Sequence, residues 1–476
     1  MTPDFWTPEA LRAVVKGSWA AAPSDAGLVK PVAGLWHDTR ELRPGEAYLA
    51  IPGERFDGHA FVGRALRDGA ALAIAERGRG EAWRASCDEA GLAQADLAGR
   101  VLEVDDAVAA LQAMAREWRD WLWRAGVNVA AVLGSNGKTT TRSLLHHLAV
   151  GGGLVGVQSP KSFNNHLGAP LTLLRARPEH GFVACEIGTN HPGEVAELAK
   201  LVRPDLAVMT SIGEEHLEAF VDLDGVAREE WSILEHLSED GRVLASLQAY
   251  EHLPLDATME ARAAVLVIDP ADGLLAKHGA DPLGPADHQR ANAALAAEGA
   301  LRLGANPEKL VAASRSFEGP EGRMQRLSLP SGVTAIHDAY NANPSSMRAA
   351  LAAFGQLGDG PAERVAILGD MLELGQVEAR AHAETVALAA GASGRLVLVG
   401  PRMAKAYAEV RADLAGVEAT VLEDPADERW PADAAAAVRP GDAVLLKASR
   451  GLRLERVLAP LRDRLADLDA ASGDAR

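Results

Sequence analysis

The stretch Gly134-Ser135-Asn136-Gly137-Lys138-Thr139-Thr140 has the residue types and spacing that most directly imply chemistry. Glycines let a backbone turn so that successive N–H groups face one point, which suits a phosphate. A helix starting at Thr139 would add the partial positive charge of its N-terminus. Lys138 would then reach the outer phosphates of a nucleotide, and the Thr139 hydroxyl would ligate Mg²⁺. Val132 stands where the longer phosphate-loop pattern has glycine, so only the short G-x-x-G-K-T form is present. The competing reading is a Gly-rich turn with a surface lysine. Context favours phosphate, because an apolar run over 128–133 precedes the loop and a helical pattern over 139–150 follows it.

Such a loop needs a sheet to hold it. Short apolar runs over 181–185 and 206–210 read as further buried strands, and Ala-rich 287–303 as a helix. In the last third, runs over 334–336, 364–368, 396–399 and 443–446 alternate with helical stretches. Alternation of this kind implies mostly parallel sheets covered on both faces. The first hundred residues predict a smaller mixed unit, with strands over 47–51 and 71–75 and a helix over 60–67. The 84–98 segment reads as a surface excursion. Over 107–124 the helical period puts Leu111, Met114, Ala115, Trp118 and Leu122 on one side. The turn-rich 318–322 stretch reads as a hinge.

Composition excludes several classes of function. With 476 residues, the chain is long enough for about three domains. A net charge of -18 argues against nucleic acid or an anionic membrane as partner. No apolar run is long enough to span a bilayer, and 1–10 does not read as a signal peptide. Cys87 and Cys185 have no metal-ligand spacing and read as free thiols of a reducing compartment.

Further stretches then carry a family resemblance. Phe163-Asn164-Asn165-His166-Leu167-Gly168-Ala169-Pro170-Leu171-Thr172, Glu186-Ile187-Gly188-Thr189-Asn190-His191-Pro192-Gly193-Glu194 and His216-Leu217-Glu218 follow the phosphate loop. Asp338-Ala339-Tyr340-Asn341-Ala342-Asn343-Pro344-Ser345-Ser346-Met347 comes later, then Leu368-Gly369-Asp370-Met371-Leu372-Glu373-Leu374-Gly375 and His382. Near the N-terminus stand Asp38-Thr39-Arg40 and Gly53-Glu54-Arg55-Phe56-Asp57-Gly58-His59. In this order, over nearly the whole chain, they resemble the Mur ligases, and among them the branch that adds D-alanyl-D-alanine.

The resemblance implies an α/β fold of three domains. These are a small mixed α/β domain for a UDP-sugar substrate (1–103), a central P-loop ATPase-like domain with a mostly parallel sheet (104–323), and a C-terminal Rossmann-like domain (324–476). It implies a cytoplasmic monomer that uses ATP and Mg²⁺ to join D-alanyl-D-alanine to UDP-N-acetylmuramoyl-tripeptide through an acyl phosphate. Lys138, Glu186, His216 and Asn165 would be catalytic. Gly134 to Thr140, Asn292, Arg323 and Asp338 would bind ATP. Asp38, Thr39, Arg40, Asn164, Tyr340, Asn341 and Asn343 would bind the other substrates. Thr139, Glu186 and His216 would ligate Mg²⁺. Gln289 stands where the family has an asparagine, so the adenine contact of Asn292 competes with an exposed polar helix position. A role for Lys447-Ala448-Ser449-Arg450 stays open against a surface basic turn.

One position departs from the family. A lysine carbamylated by CO₂ usually follows the His-Leu-Glu, yet no lysine lies between Lys200 and Lys277. Glu230 falls at that position, beside a buried helical stripe containing Val226, Ile233 and Leu234. A carboxylate there wants a cation or donors, so Glu230 is expected as an anionic metal ligand. It is shorter than the carbamate by about 4 Å at ordinary bond lengths. The alternative is an edge-of-face carboxylate with no metal.

Overall fold

Short apolar runs flanked by helices give three separate sheets in this chain. The computed structural model describes residues 4–23, 31–53, 56–357, 362–414 and 416–473. The first sheet contains β1 (Ser18–Trp19), β2 (Leu35–Trp36), β3 (Ala47–Leu49), β4 (Leu72–Glu76) and β5 (Val101–Val104). Its order is β1-β5-β4-β3-β2, with only β1 antiparallel to its neighbour.

The second sheet holds the phosphate loop. Its strands are β6 (Asn128–Leu133), β7 (Gly156–Gln158), β8 (Phe182–Glu186), β9 (Leu206–Met209), β10 (Arg242–Ser246) and β11 (Val265–Ile268). All pair in parallel, in the order β11-β10-β9-β6-β8-β7. Strand β6 is therefore central and flanked by β8 and β9. The order reverses beside it, and the loops leaving the three strands open one crevice at their C-terminal ends.

The third sheet comprises β12 (Gln325–Ser328), β13 (Thr334–His337), β14 (Arg364–Gly369), β15 (Arg395–Val399), β16 (Glu418–Leu422) and β17 (Ala443–Lys447). Its order is β12-β13-β17-β14-β15-β16, parallel except for β12. The expected strands and helices recur with ends shifted by one or two residues. Strands β1, β2, β5, β7, β10, β11, β12 and β16 carried no expectation.

Helix Ala107–Arg124 ties the first sheet to the second. Its predicted apolar side is buried, and its residues join one core shared with the N-terminal segment and one face of the central sheet. Trp118 stacks on Trp121 at 4.7 Å and meets Phe5 and Trp6. Arg119, 1% exposed, donates to the carbonyls of Val202 and Arg203 and to Asp205.

The 84–98 segment corrects its reading as a surface excursion. Its first part, 84–89, ends helix Gly80–Glu89, which buries Trp83 and Cys87, and a short helical turn at Gln94–Leu97 buries Leu97. The helix packs so tightly that a Cβ on Gly63 would lie 2.0 Å from the Ser86 carbonyl oxygen. Cys87 and Cys185 are both free and buried. No helix among the described residues is long and apolar enough to cross a membrane.

Candidate active site

The loop after β6 turns on two glycines whose backbone other residues avoid. Gly134 and Gly137 have φ of +112° and +85°. Space forbids a side chain as well: a Cβ on Gly134 would lie 2.6 Å from Thr210 Oγ1, and one on Gly137 2.5 Å from Asn292 Nδ2. Helix Lys138–Gly151 begins at once, with its first N–H groups beside the turn. Lys138 bends back over the loop, donating to the carbonyls of Gly134 at 2.5 Å and Ser135 at 3.2 Å. Its ammonium is also 3.6 Å from Glu215 Oε2.

Glu186 ends β8 beside the start of that helix. Its Oε1 accepts from the Thr139 hydroxyl at 3.0 Å and from Asn164 Nδ2 at 3.1 Å. Its Oε2 is buried without a hydrogen bond and stands 3.5 Å from the Arg142 guanidinium. Arg142 lies one turn after Thr139. It donates to Gln158 and, at 2.5 Å, to the Lys161 carbonyl, which holds the Asn164 loop against the sheet. Nothing local in the sequence marked Arg142. Asn165 accepts from the N–H groups of Leu167 and Gly168 just ahead of the next helix. Phe163 stacks on Trp36 of the first sheet at 6.0 Å, so the same loop also carries the N-terminal unit.

The third sheet supplies the other wall. The loop after β13 and helix Pro344–Gly355 approach the phosphate loop directly. Asn136 donates to Ser345 Oγ at 2.7 Å and accepts from Asn343 Nδ2 at 3.1 Å. Asn343 also caps that helix through the Ser346 N–H. Lys447 is 2% exposed and not part of a surface turn: its ammonium meets Asp338 Oδ2 at 2.7 Å and the Asn341 carbonyl at 3.0 Å. Arg323 Nη2 donates to Thr139 Oγ1 at 3.2 Å, and its guanidinium lies 4.0 Å over the Tyr340 ring. His216 Nδ1 is 2.6 Å from Glu373 Oε2, so a residue of the third unit orients a residue of the second.

Together these elements enclose a cavity of about 1550 Å³. Ser135 to Thr140, Asn164, Asn165, Glu186, His216, Asn292, Arg323, Asp338, Tyr340, Asn341 and Asn343 all line it. Asn292 thus faces the cavity and the phosphate loop. Glu215 and His288 also line it and were not anticipated as site residues. Glu215 had one signal in sequence, its place immediately before His216.

Glu230 is not on the cavity wall. It is fully buried behind the loop, where Oε2 accepts the Gly134 N–H at 2.9 Å and Oε1 has no partner. Burial pushes its carboxyl up to about 8, against the pull of Lys138. Burial raises Glu215 likewise.

Asp38, Thr39 and Arg40 lie in the turn after β2, outside this cavity. Arg40 closes on Asp38 at 2.5 Å and holds its carboxyl down to about 2. Glu54 and Arg55 lie outside the described residues. His59 is buried, with Nδ1 on Asp57 at 2.6 Å and Nε2 accepting the Glu76 N–H at 2.9 Å. His382 is likewise buried, bonded to the Met371 N–H and the Glu378 carbonyl. Both ring nitrogens of each histidine are therefore used in holding the fold.

Known proteins resemble the chain along its length. Residues 31–119 match the model of the Mur ligase family catalytic domain, 132–265 the Mur ligase middle domain, and 322–450 the Mur ligase glutamate ligase domain. The UDP-N-acetylmuramoyl-tripeptide–D-alanyl-D-alanine ligase of Bacillus subtilis is 31% identical, over 94% of this chain and 96% of that protein. Its namesake from Mycobacterium tuberculosis (strain ATCC 25618 / H37Rv) is 32% identical, over 92% of this chain and 93% of its own. Among solved structures, MurF from Acinetobacter baumannii superposes with a TM-score of 0.74 at 26% identity, covering 96% of this chain and 99% of that one. MurF from Thermotoga maritima in complex with ADP shares the fold, with a TM-score of 0.69 at 24% identity, over 93% of this chain and 99% of its own.

Proposed function

The chain belongs to the Mur ligase family, and from that premise we propose that it uses ATP to join D-alanyl-D-alanine to UDP-N-acetylmuramoyl-tripeptide in peptidoglycan precursor synthesis. The observation that carries this reading is convergence. The phosphate loop, Glu186 and the Asp338–Asn343 loop line one cavity of about 1550 Å³. Ordinary ligand pockets measure about 300–1,000 Å³, so this one has room for a nucleotide and a second substrate together.

The tripeptide carboxylate attacks the γ-phosphorus of ATP, forming an acyl phosphate and ADP. The dipeptide amine then attacks the acyl carbon, and inorganic phosphate leaves. The first step brings anion against anion, so positioning and charge stabilisation are the chief tasks. Lys138 exchanges its loop carbonyls for the phosphates. Arg323 lies within one side-chain movement of the same point and couples it to Tyr340. Asn164 and Asn165 border the transferring group. Asp338, fixed by Lys447, faces the nucleotide across the junction. Tyr340 and Asn341 border the dipeptide, while Asn343 clasps Asn136.

Thr139 and Glu186 suit Mg²⁺, because a buried carboxylate oxygen without a donor lies beside a hydroxyl at a phosphate loop. His216 keeps Nε2 for a second ion, oriented by Glu373 in the usual carboxylate–histidine manner. Bound there, the metal supplies positive charge to the phosphate oxygens. The Asp38–Arg40 turn is assigned to the nucleotide-sugar end of the substrate. Domain roles follow the three sheets: UDP-sugar over 1–103, ATP over 104–323, dipeptide and nucleotide over 324–476. The protein acts in the cytoplasm as a monomer.

The test is ADP release by the purified protein with Mg-ATP, adding the tripeptide substrate and the dipeptide separately and then together. Rapid release with both, yielding a pentapeptide, is expected. ATP binding without release under any combination would overturn the assignment.

A further inference from the structure

Two carboxylates beside the phosphate loop are unexplained by the reaction as described. Glu215 and Glu230 are both buried, and the Oε1 atom of each has no hydrogen-bond partner. The remaining oxygens face the loop: Glu215 Oε2 is 3.6 Å from the Lys138 ammonium, and Glu230 Oε2 takes the Gly134 N–H. One lysine thus opposes two carboxylates. When Lys138 turns to a phosphate, that neutralisation weakens further. A buried carboxylate oxygen with neither donor nor cation is costly, so Glu215 Oε1, on the cavity side, calls for a partner there.

Geometry selects which carboxylate meets it. Glu230 is sealed behind the loop, whereas Glu215 lines the cavity and precedes His216 in the chain. Glu373 occupies Nδ1 of His216, leaving Nε2 as the nitrogen able to ligate.

Resting on the ATP-dependent reading above, we propose that Glu215 Oε1 and His216 Nε2 together hold a divalent cation that replaces the charge of Lys138 once the lysine engages nucleotide. A hard cation that keeps waters and substrate oxygens takes only one or two protein ligands. Glu215 supplies the oxygen that the short Glu230 side chain does not bring to the cavity. The site needs no carbamylated lysine.

The experiment titrates Mn²⁺ into the full chain at saturating ADP and follows free Mn²⁺ by electron paramagnetic resonance. The wild type is expected to bind one Mn²⁺ with the nucleotide and one more. Glu215→Gln loses the second, by at least about tenfold in affinity, and keeps the nucleotide-linked ion, which also reports an intact loop. Glu215→Asp retains the charge and a weakened second ion. Glu230→Gln keeps both. A wild type that binds a single Mn²⁺, or a Glu215→Gln variant that binds both as tightly as wild type, overturns the proposal. So does loss of the second ion in Glu230→Gln but not in Glu215→Gln. Product formation assayed in parallel separates the two readings. Two bound ions without ligation leave the cation site and sink the ligase, while ligation with one ion does the reverse.

Discussion

The phosphate loop and the Asp38–Arg40 turn are both polar motifs beside a parallel strand, yet they are built differently. Around the loop, almost every functional side chain is held by a different element. Thr139 and Asn164 meet on Glu186, Asn136 meets Asn343 and Ser345, and His216 meets Glu373. In the N-terminal turn the partner is two residues away: Arg40 on Asp38. A long-range network makes geometry depend on how three units dock, so losing one member disturbs the others. A local pair is a self-contained hook that presents a ligand contact whatever happens elsewhere. Single substitutions should therefore cost much more in the first region than in the second.

The largest expected loss is at Lys138. Lys138→Met removes a charge aimed at the transferring group, and turnover should fall about 10²–10³-fold, as for other single donors to developing charge. ADP release at saturating substrates measures it; a loss below tenfold would detach the loop from the chemistry. Glu186→Gln keeps the Thr139 and Asn164 contacts but removes the charge. We expect turnover to fall about 10–100-fold and the Mg²⁺ needed for half-maximal rate to rise. Unchanged Mg²⁺ dependence would break the idea that the network serves a metal.

Glu373→Gln tests whether the network reaches across units. It keeps a hydrogen-bonding group beside His216 and removes only the charge. About tenfold weaker metal dependence, with the KM for ATP unchanged, is the expected outcome. An unaltered metal response would reduce the His216–Glu373 contact to a docking bond.

This division also explains what was legible in the sequence. Apolar runs such as those of β6 and β8 end in Gly134 and Glu186, so strand, loop and ligand were readable from neighbours in the chain. Glu230 was readable as a buried carboxylate, because helical spacing put it beside Val226 and Ile233. Its partner was not, since the Gly134 N–H is 96 residues away. The same holds for Lys447 on Asp338, 109 residues apart, and for Arg142 behind Glu186, which belong to a helix and a strand end that are not neighbours in the chain. Helix Gly80–Glu89 was missed for another reason. Small residues and charges surround its buried Trp83 and Cys87, and its apolar face is narrow. The 242–246 and 265–268 strands are not followed at once by a glycine, as β6 is by Gly134.

The smallest effect is expected at the Asp38–Arg40 hook. Arg40 is 81% exposed, and its contact to Asp38 is local. Arg40→Ala should raise the KM for the nucleotide-sugar substrate, leave the KM for ATP unchanged, and leave the melting temperature where it was, as for most exposed ion pairs. The pH dependence follows from the depressed Asp38 carboxyl, held down to about 2 by Arg40. A carboxyl lowered in the folded state contributes its stabilisation above its ordinary value of 3.8 and loses it as pH falls toward 2. Between about pH 5 and 9, well above that carboxylate range, the hook should therefore hold a constant charge, and any pH dependence of the substrate KM there must originate elsewhere. A KM for ATP that rose with Arg40→Ala would mean the hook is wired into the phosphate network after all, and the contrast between the two regions would fail.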